Sequence, residues 1–316
     1  MRTRAALLAA LTCLALPAVA AADQIVTVEA DGEAQLGTLG QELSPLADWG
    51  DIRSAAIDGA GRVWLSQRDP GLDDCIVFQP ESPDTAIVFA EVSFIPDRLR
   101  RGQSGCWIRR GPGLELLTSS SNGTGGSTSV WRLDTEVRVT RYLHGGLEGT
   151  VSPGGAVAVS QYSYYPPGGN YLSLRVGRLS AYPQLPLRAA WRHARRHAKD
   201  RFPTWTSPAY SATGRLAVVR APKRGGAQVL VGRPGAWHAV WKPGPAVSVN
   251  DLGWTSTGDL VVASTLRGRS DVRIFPDAEP GSSELLYPDR GANGFAIGPD
   301  APPPAAPPPA EPPPDL

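Results

Sequence analysis

The stretch Thr206–Arg220, TSPAYSATGRLAVVR, carries the pattern that decides the fold. Small and aromatic residues lead into a polar turn at Gly214, and a strongly apolar run follows. Glycine supplies the positive φ that a tight hairpin requires, so the stretch reads as strand, turn, strand. The same unit stands at Ile52–Gln67 (IRSAAIDGAGRVWLSQ), Leu147–Gln161 (LEGTVSPGGAVAVSQ) and Asn250–Ser264 (NDLGWTSTGDLVVAS), turning at Gly61, Gly154-Gly155 and Gly258. Two weaker copies fill the gaps: CWIRRGPGLELLTSS at Cys106–Ser120 and GANGFAIGPD at Gly291–Asp300.

With Gly61, Gly113, Gly155, Gly214, Gly258 and Gly298 as markers, the steps are 52, 42, 59, 44 and 40 residues. A four-stranded propeller blade takes about 40–45 residues, so the longer steps imply loop insertions. Thr128–Leu133, Tyr171–Val176, Gln228–Gly232 and Asp271–Phe275 supply further strands after the hairpins. With 35 glycines and 31 prolines the chain leaves few stretches where a helix could run. The expectation is an all-β propeller of six four-stranded blades, with seven an alternative. The last unit lacks a second strand, and Gln24–Glu29 (QIVTVE) is expected to supply it, closing the ring and hiding its edges.

The repeat resembles that of TolB-type, WD40-like propellers, in which Ser-Pro and an aromatic precede a Ser-x-x-Gly turn. Thr206–Pro222 is the best copy, and NDLGWTSTGDLVVAS is similar with Trp254 in the aromatic place. Thr213 and Thr257 stand where the family usually has Asp before the turn glycine. IDGAGRVWLSQ resembles the turn of the NHL and gluconolactonase propellers. The resemblance implies a fold and no single activity, because these residues build hairpins.

The ends point to export. Met1-Arg2-Thr3-Arg4 precedes an apolar run to Leu16, then Pro17 and Ala18-Val19-Ala20, the order of a secretory signal with cleavage near Ala20. The apolar run is too short to cross a bilayer, and no later segment is apolar enough, so no membrane span is expected after cleavage. Residues 1–20 are thus read as the signal, 24–300 as the propeller and 301–316 (APPPAAPPPAEPPPDL) as a proline-rich disordered tail. A secreted, periplasmic or envelope location makes Cys75 and Cys106 an expected disulfide. Charge is nearly balanced, 31 Lys and Arg against 30 Asp and Glu, which argues against a nucleic-acid binder.

Chemistry is thin. His193 and His197 have i,i+4 spacing, but stacked arginines around them oppose a cation. Gly102-Gln-Ser-Gly falls one residue short of a nucleophile elbow. Two ligand surfaces are candidates: Tyr162, Tyr164, Tyr165 and Tyr171 in QYSYYPPGGNYLSLRV, and the basic segment with Trp191, Arg192, Arg195 and Arg196, which would suit an anionic envelope partner. The lactonase resemblance implies a divalent cation such as Ca²⁺ at the channel mouth, for which Glu148, Asn250, Asp251 and Asn293 are the oxygen ligands on offer. The expected function is therefore non-catalytic binding of an extracytoplasmic protein or envelope ligand across a propeller face, with no cofactor. A metal-dependent hydrolase or lactonase and a structural envelope protein are the alternatives.

Overall fold

The computed structural model describes residues 23–46, 50–68, 75–88, 107–110, 116–120, 129–133, 139–144, 148–165, 169–178, 188–189, 203–222 and 225–299. The N-terminal signal, the C-terminal tail, Cys106, the side chain of Cys75 and the segment with Trp191, Arg192, Arg195 and Arg196 lie outside the described residues. So does the expected disulfide.

The described chain is built from strands that group into six four-stranded sheets. β1 (Asp23–Val28), β2 (Ala34–Thr38) and β3 (Ser44–Pro45) come first and belong to the sheet that closes last. β4 (Ile52–Ile57), β5 (Val63–Arg68), β6 (Cys75–Gln79) and β7 (Ser82–Val88) form the next. β8 (Trp107–Arg110), β9 (Leu116–Ser120), β10 (Ser129–Leu133) and β11 (Val139–His144) follow, then β12 (Glu148–Val151), β13 (Ala156–Tyr165), β14 (Gly169–Arg178) and β15 (Arg188–Ala189). β16 (Thr204–Tyr210), β17 (Leu216–Ala221), β18 (Gln228–Arg233) and β19 (Ala236–Trp241) make the fifth group. β20 (Val247–Trp254), β21 (Leu260–Leu266), β22 (Arg269–Phe275) and β23 (Glu284–Pro288) make the sixth. β24 (Gly294–Pro299) ends the described chain.

The first strands β4, β8, β12, β16 and β20 pack one on the next, and β24 completes the circle by packing on both β20 and β4. This is a β-propeller, each sheet radiating from an inner strand beside the axis. Closure is by the N-terminus, as the alternation of QIVTVE predicts. β1 pairs antiparallel with β24 from Asp23 opposite Pro299 to Val28 opposite Gly294. Glu29 and Asn293 fasten the joint, the Gly291 amide donating to the Glu29 carboxylate at 2.9 Å and the Asn293 side-chain amide to the Glu29 carbonyl at 2.7 Å.

Period-two alternation explains why the strands are apolar on both faces. On β17, Leu216 and Val218 pack toward the sheet before, with Trp205 and Leu174, while Ala217 and Val219 pack toward the sheet after, with Leu252 and Val262. β21 repeats the division: Leu260 and Val262 one way, Val261 and Ala263 the other. A sheet covered on both sides needs no polar face. Each fully buried aliphatic contributes roughly 1.5–3 kcal/mol.

The hairpins share one device. Gly61, Gly155, Gly214 and Gly258 have φ of +79°, +73°, +80° and +98°, as their place in the repeat requires. The residue three positions earlier organises each turn. Ser152, Ser211 and Thr255 hydroxyls accept the amides of Ala156, Arg215 and Asp259 at 2.9 Å. Asp58 does more, accepting the Ala60 and Arg62 amides, the Arg62 guanidinium and the Trp64 indole N–H while fully buried. Thr213 and Thr257 sit inside these turns, hydroxyl to hydroxyl with Ser211 and Thr255.

Gly298 corrects the marker pattern. It lies in β24, not in a turn, and a Cβ there would collide with the Ile57 side chain. That glycine lets β24 approach β4 where the ring closes.

Candidate functional site

The inner strands line a central channel, and short polar residues stitch them together. Ser54 on β4 exchanges hydrogen bonds with the backbone of Ile108 on β8, both at 3.3 Å. The Tyr210 amide on β16 donates to Thr150 on β12 at 3.2 Å. Ser207 links two neighbours: its amide donates to the Glu148 carboxylate at 2.6 Å, and its hydroxyl to the Asn250 carbonyl at 3.2 Å. Ser207 has φ of +50° within a register shift of β16, so the backbone is bent there to aim that amide at Glu148.

One side chain crosses the channel. Arg109 on β8 forms an ion pair with Asp251 on β20 and donates to the Leu252 carbonyl at 2.6 Å. Around the ring β8 and β20 are separated by two inner strands on either side, so the pair spans the diameter. Asp251 is also held by the amides of Leu252 (2.8 Å) and Phe295 (3.4 Å). Burial pushes the Glu148 carboxyl above its ordinary value; the Ser207 amide and Arg109 oppose this, and Asp251 adds to it. Burial likewise raises Asp251, against the pull of Arg109 and the two amides.

Arg109 also lines a cavity of about 160 Å³ in the channel, walled by the C-terminal parts of β4, β12 and β16 and by β24. Ala55, Ala56, Ala209 and Ala296 leave the space, and Thr150 and Tyr210 bring polar groups to it.

The residues proposed from sequence as a cation set divide. Asp251 pairs with Arg109, and Glu148 feels the charges of both. Asn250 turns its amide to Thr265 (2.7 Å) and the Ala292 carbonyl (3.1 Å), and Asn293 turns its amide to Glu29. Among the described residues no group of three or more His, Cys, Asp or Glu side chains is placed to hold a metal ion. With a guanidinium paired to Asp251 and both asparagines engaged in the sheets, the set does not fit a hard divalent cation.

The tyrosine segment forms a ribbon. β13 and β14 run for ten residues each, with Tyr162 opposite Leu172, Ser163 opposite Tyr171, Tyr164 opposite Asn170 and Tyr165 opposite Gly169. β12 pairs no further than Ser160, opposite Glu148, and β15 pairs only with Arg175 and Val176. Among the described residues, 161–165 pair with β14 alone, on the side where the inner strands begin. The sequence reads Tyr171 as the head of a strand and leaves Tyr162, Tyr164 and Tyr165 between a Pro-Gly loop and a continued strand; all four stand on β13 and β14. Sequence reasoning missed Arg109, Ser207 and Thr150. A charged residue inside a short strand, as in CWIRR, was the available signal for Arg109.

No protein-family model matches the chain, and no curated protein sequence matches it. Among solved structures, a TolB candidate from Agrobacterium tumefaciens superposes with a TM-score of 0.51 at 11% identity, covering 87% of this chain and 92% of that one. The fold is a β-propeller, and that likeness is one of fold. A candidate gluconolactonase (13% identity, 85% and 91% covered, TM-score 0.47) and a candidate glucose dehydrogenase from Thermus thermophilus (18%, 77% and 85%, TM-score 0.44) are further neighbours. At these identities the likeness of this propeller to its neighbours is one of fold. Among its described residues no helix is long and apolar enough to cross a membrane.

Proposed function

We propose that this chain is an exported, non-catalytic binding protein, a six-bladed propeller of residues 24–300 that holds a protein or envelope ligand across one face. The observation that carries the reading is the engagement of the channel carboxyls with the fold itself. Glu148 accepts the Ser207 amide, and Asp251 accepts two amides and pairs with Arg109. The metal-dependent hydrolase alternative needs carboxylates turned to an ion, and these are turned to the fold. Tyr162, Tyr164, Tyr165 and Tyr171 lie on β13 and β14, on the side where Glu148 begins β12, and are the residues we assign to the ligand surface. Residues 1–20 serve as the leader and 301–316 as a spacer.

Affinity capture from the producing cell's envelope fraction tests this, with the purified chain carrying or lacking residues 301–316. A saturable ligand retained by both forms is the expected result. Capture of nothing specific, together with esterase or lactonase activity that a chelator abolishes, overturns the reading.

A further inference from the structure

The channel cavity of about 160 Å³ is built by the repeat itself. Two positions before the residue that organises each turn, the inner strands carry a short side chain or none: Ala56, Thr150, Ala209 and Gly253. The first three line the cavity. Gly253 acts through its neighbour. A Cβ there would stand 2.7 Å from the Phe295 ring, so the glycine seats that ring, and Phe295 becomes a fixed aromatic wall. Protein interiors are close-packed, and engineered cavities of about 150 Å³ take up benzene. The cavity lies where β12 and β16 end, at the opposite end of β12 from Glu148.

Four described side chains bring polar groups to the wall: Arg109, Thr150, Tyr210 and Ser211. The Arg109 charge is matched by Asp251, and Ser211 is committed to its own turn through Thr213 and the Arg215 amide. Thr150 accepts the Tyr210 amide at 3.2 Å, which leaves its hydroxyl proton to give. Burial raises the Tyr210 phenol above its ordinary value, with no hydrogen bond to a described residue offsetting it. The wall thus offers two hydroxyls on adjacent inner strands, the Phe295 ring, and the aliphatic side chains of Ile57, Val151 and Ile297.

We propose that this cavity binds a small neutral aromatic molecule with one hydroxyl, of the phenol class. Its ring lies against Phe295 and the aliphatic wall, where burial and ring–ring contact supply affinity. Its hydroxyl sits between Thr150 and Tyr210. A carboxylate or ammonium group would lose its water beside an ion pair that is already matched. A sugar of similar size brings more hydroxyls than the wall can partner. The cavity is at the other end of the channel from the surface assigned to a protein or envelope ligand, so this site stands or falls apart from that reading.

The test titrates phenol into the full chain, isotope-labelled at its Ile and Val methyls, and follows them by NMR. The signals of Ile57, Val151 and Ile297 are expected to shift together and to saturate in the millimolar range. Benzoate and benzylammonium bind about tenfold or more weakly, and glucose moves none of the three. Tyr210→Phe lowers phenol affinity about fivefold and leaves benzene affinity unchanged, with an unfolding midpoint near that of the parent. Ala56→Val, which narrows the cavity, weakens phenol and benzene alike; if it unfolds the ring, Tyr210→Phe still decides. No shift in tens of millimolar phenol, shifts centred on other methyls, or benzoate binding as tightly as phenol overturns the proposal. So does an equal effect of Tyr210→Phe on phenol and benzene, or unchanged binding in a folded Ala56→Val. Failure to capture an envelope ligand leaves these shifts as they are, so the two readings fail separately.

Discussion

The Arg109 guanidinium and the Asp251 carboxylate meet across the channel from strands on opposite sides of the ring. Nearest-neighbour seams hold each sheet to the next, and this pair ties two sheets on opposite sides of the ring. It also puts a polar wall on the cavity, which Arg109 lines.

Arg109→Ala leaves the Asp251 carboxylate, 16% exposed, held among the described residues by the Leu252 and Phe295 amides alone. Removing one member of such a pair costs about 3–5 kcal/mol. Urea unfolding should show a loss near 3 kcal/mol for Arg109→Ala, and less than the sum of the single losses for Arg109→Met with Asp251→Leu. Additive losses would show that the two side chains do not act as a pair.

Asp58 accepts four hydrogen bonds where the other hairpins use a hydroxyl. Asp58→Ala should lower stability by about 3 kcal/mol, because it strands the buried Trp64 indole N–H as well as the turn amides. Asp58→Ser, the choice made at Ser152 and Ser211, should keep the turn and recover part of the loss. Thermal midpoints of the three proteins decide it, at roughly 2–4 °C per kcal/mol.

Glu148 and Glu29 are both buried carboxyls raised above their ordinary values. In the window between the unfolded and folded values the native state binds more protons than the unfolded chain. These two groups therefore make stability fall as pH rises through that window, and gain it on acidification from neutrality until the unfolded value is passed. Glu148→Gln and Glu29→Gln, which keep an acceptor for the Ser207 and Gly291 amides, should each flatten that part of the profile. Urea midpoints measured from pH 4 to 8 check the sign, and an unchanged slope in both variants would contradict it.

Gly298→Ala should destabilise by about 1–3 kcal/mol, since its methyl enters space held by Ile57. Ile57→Ala in the same chain should restore part of the loss, which distinguishes steric contact from a backbone preference. Gly298 has no positive φ to protect.

Fold was far more legible than site. Turn glycines at 61, 155, 214 and 258 and the alternation of Gln24–Glu29 are local signals, and each maps onto a local or pairwise feature of the ring. Gly298 misled because a glycine needed for close approach looks, in sequence, like one needed for a turn. The channel is different in kind. Arg109 and Asp251 lie 142 positions apart, and their meeting depends on how many sheets complete the circle, which no short window of residues encodes. Glu148 and Asp251 were visible as oxygen donors at strand starts. That Asn250 and Asn293 turn into neighbouring strands depends on which partners the folded backbone offers.

Asp23 and Pro299 are register partners, so the folded unit begins and ends at one spot, with backbones about 5 Å apart. The first strand to be made must wait for the last before their sheet exists, and the wait spans nearly the whole chain. Joining Pro299 to Asp23 through a short loop and opening the chain near Gly244, between the sheets that end at β19 and begin at β20, would turn that slow, long-range pairing into an ordinary hairpin without splitting another sheet. Such a permuted protein should keep the parent's equilibrium stability and refold faster, because most of the closure entropy has been removed from the rate-limiting step.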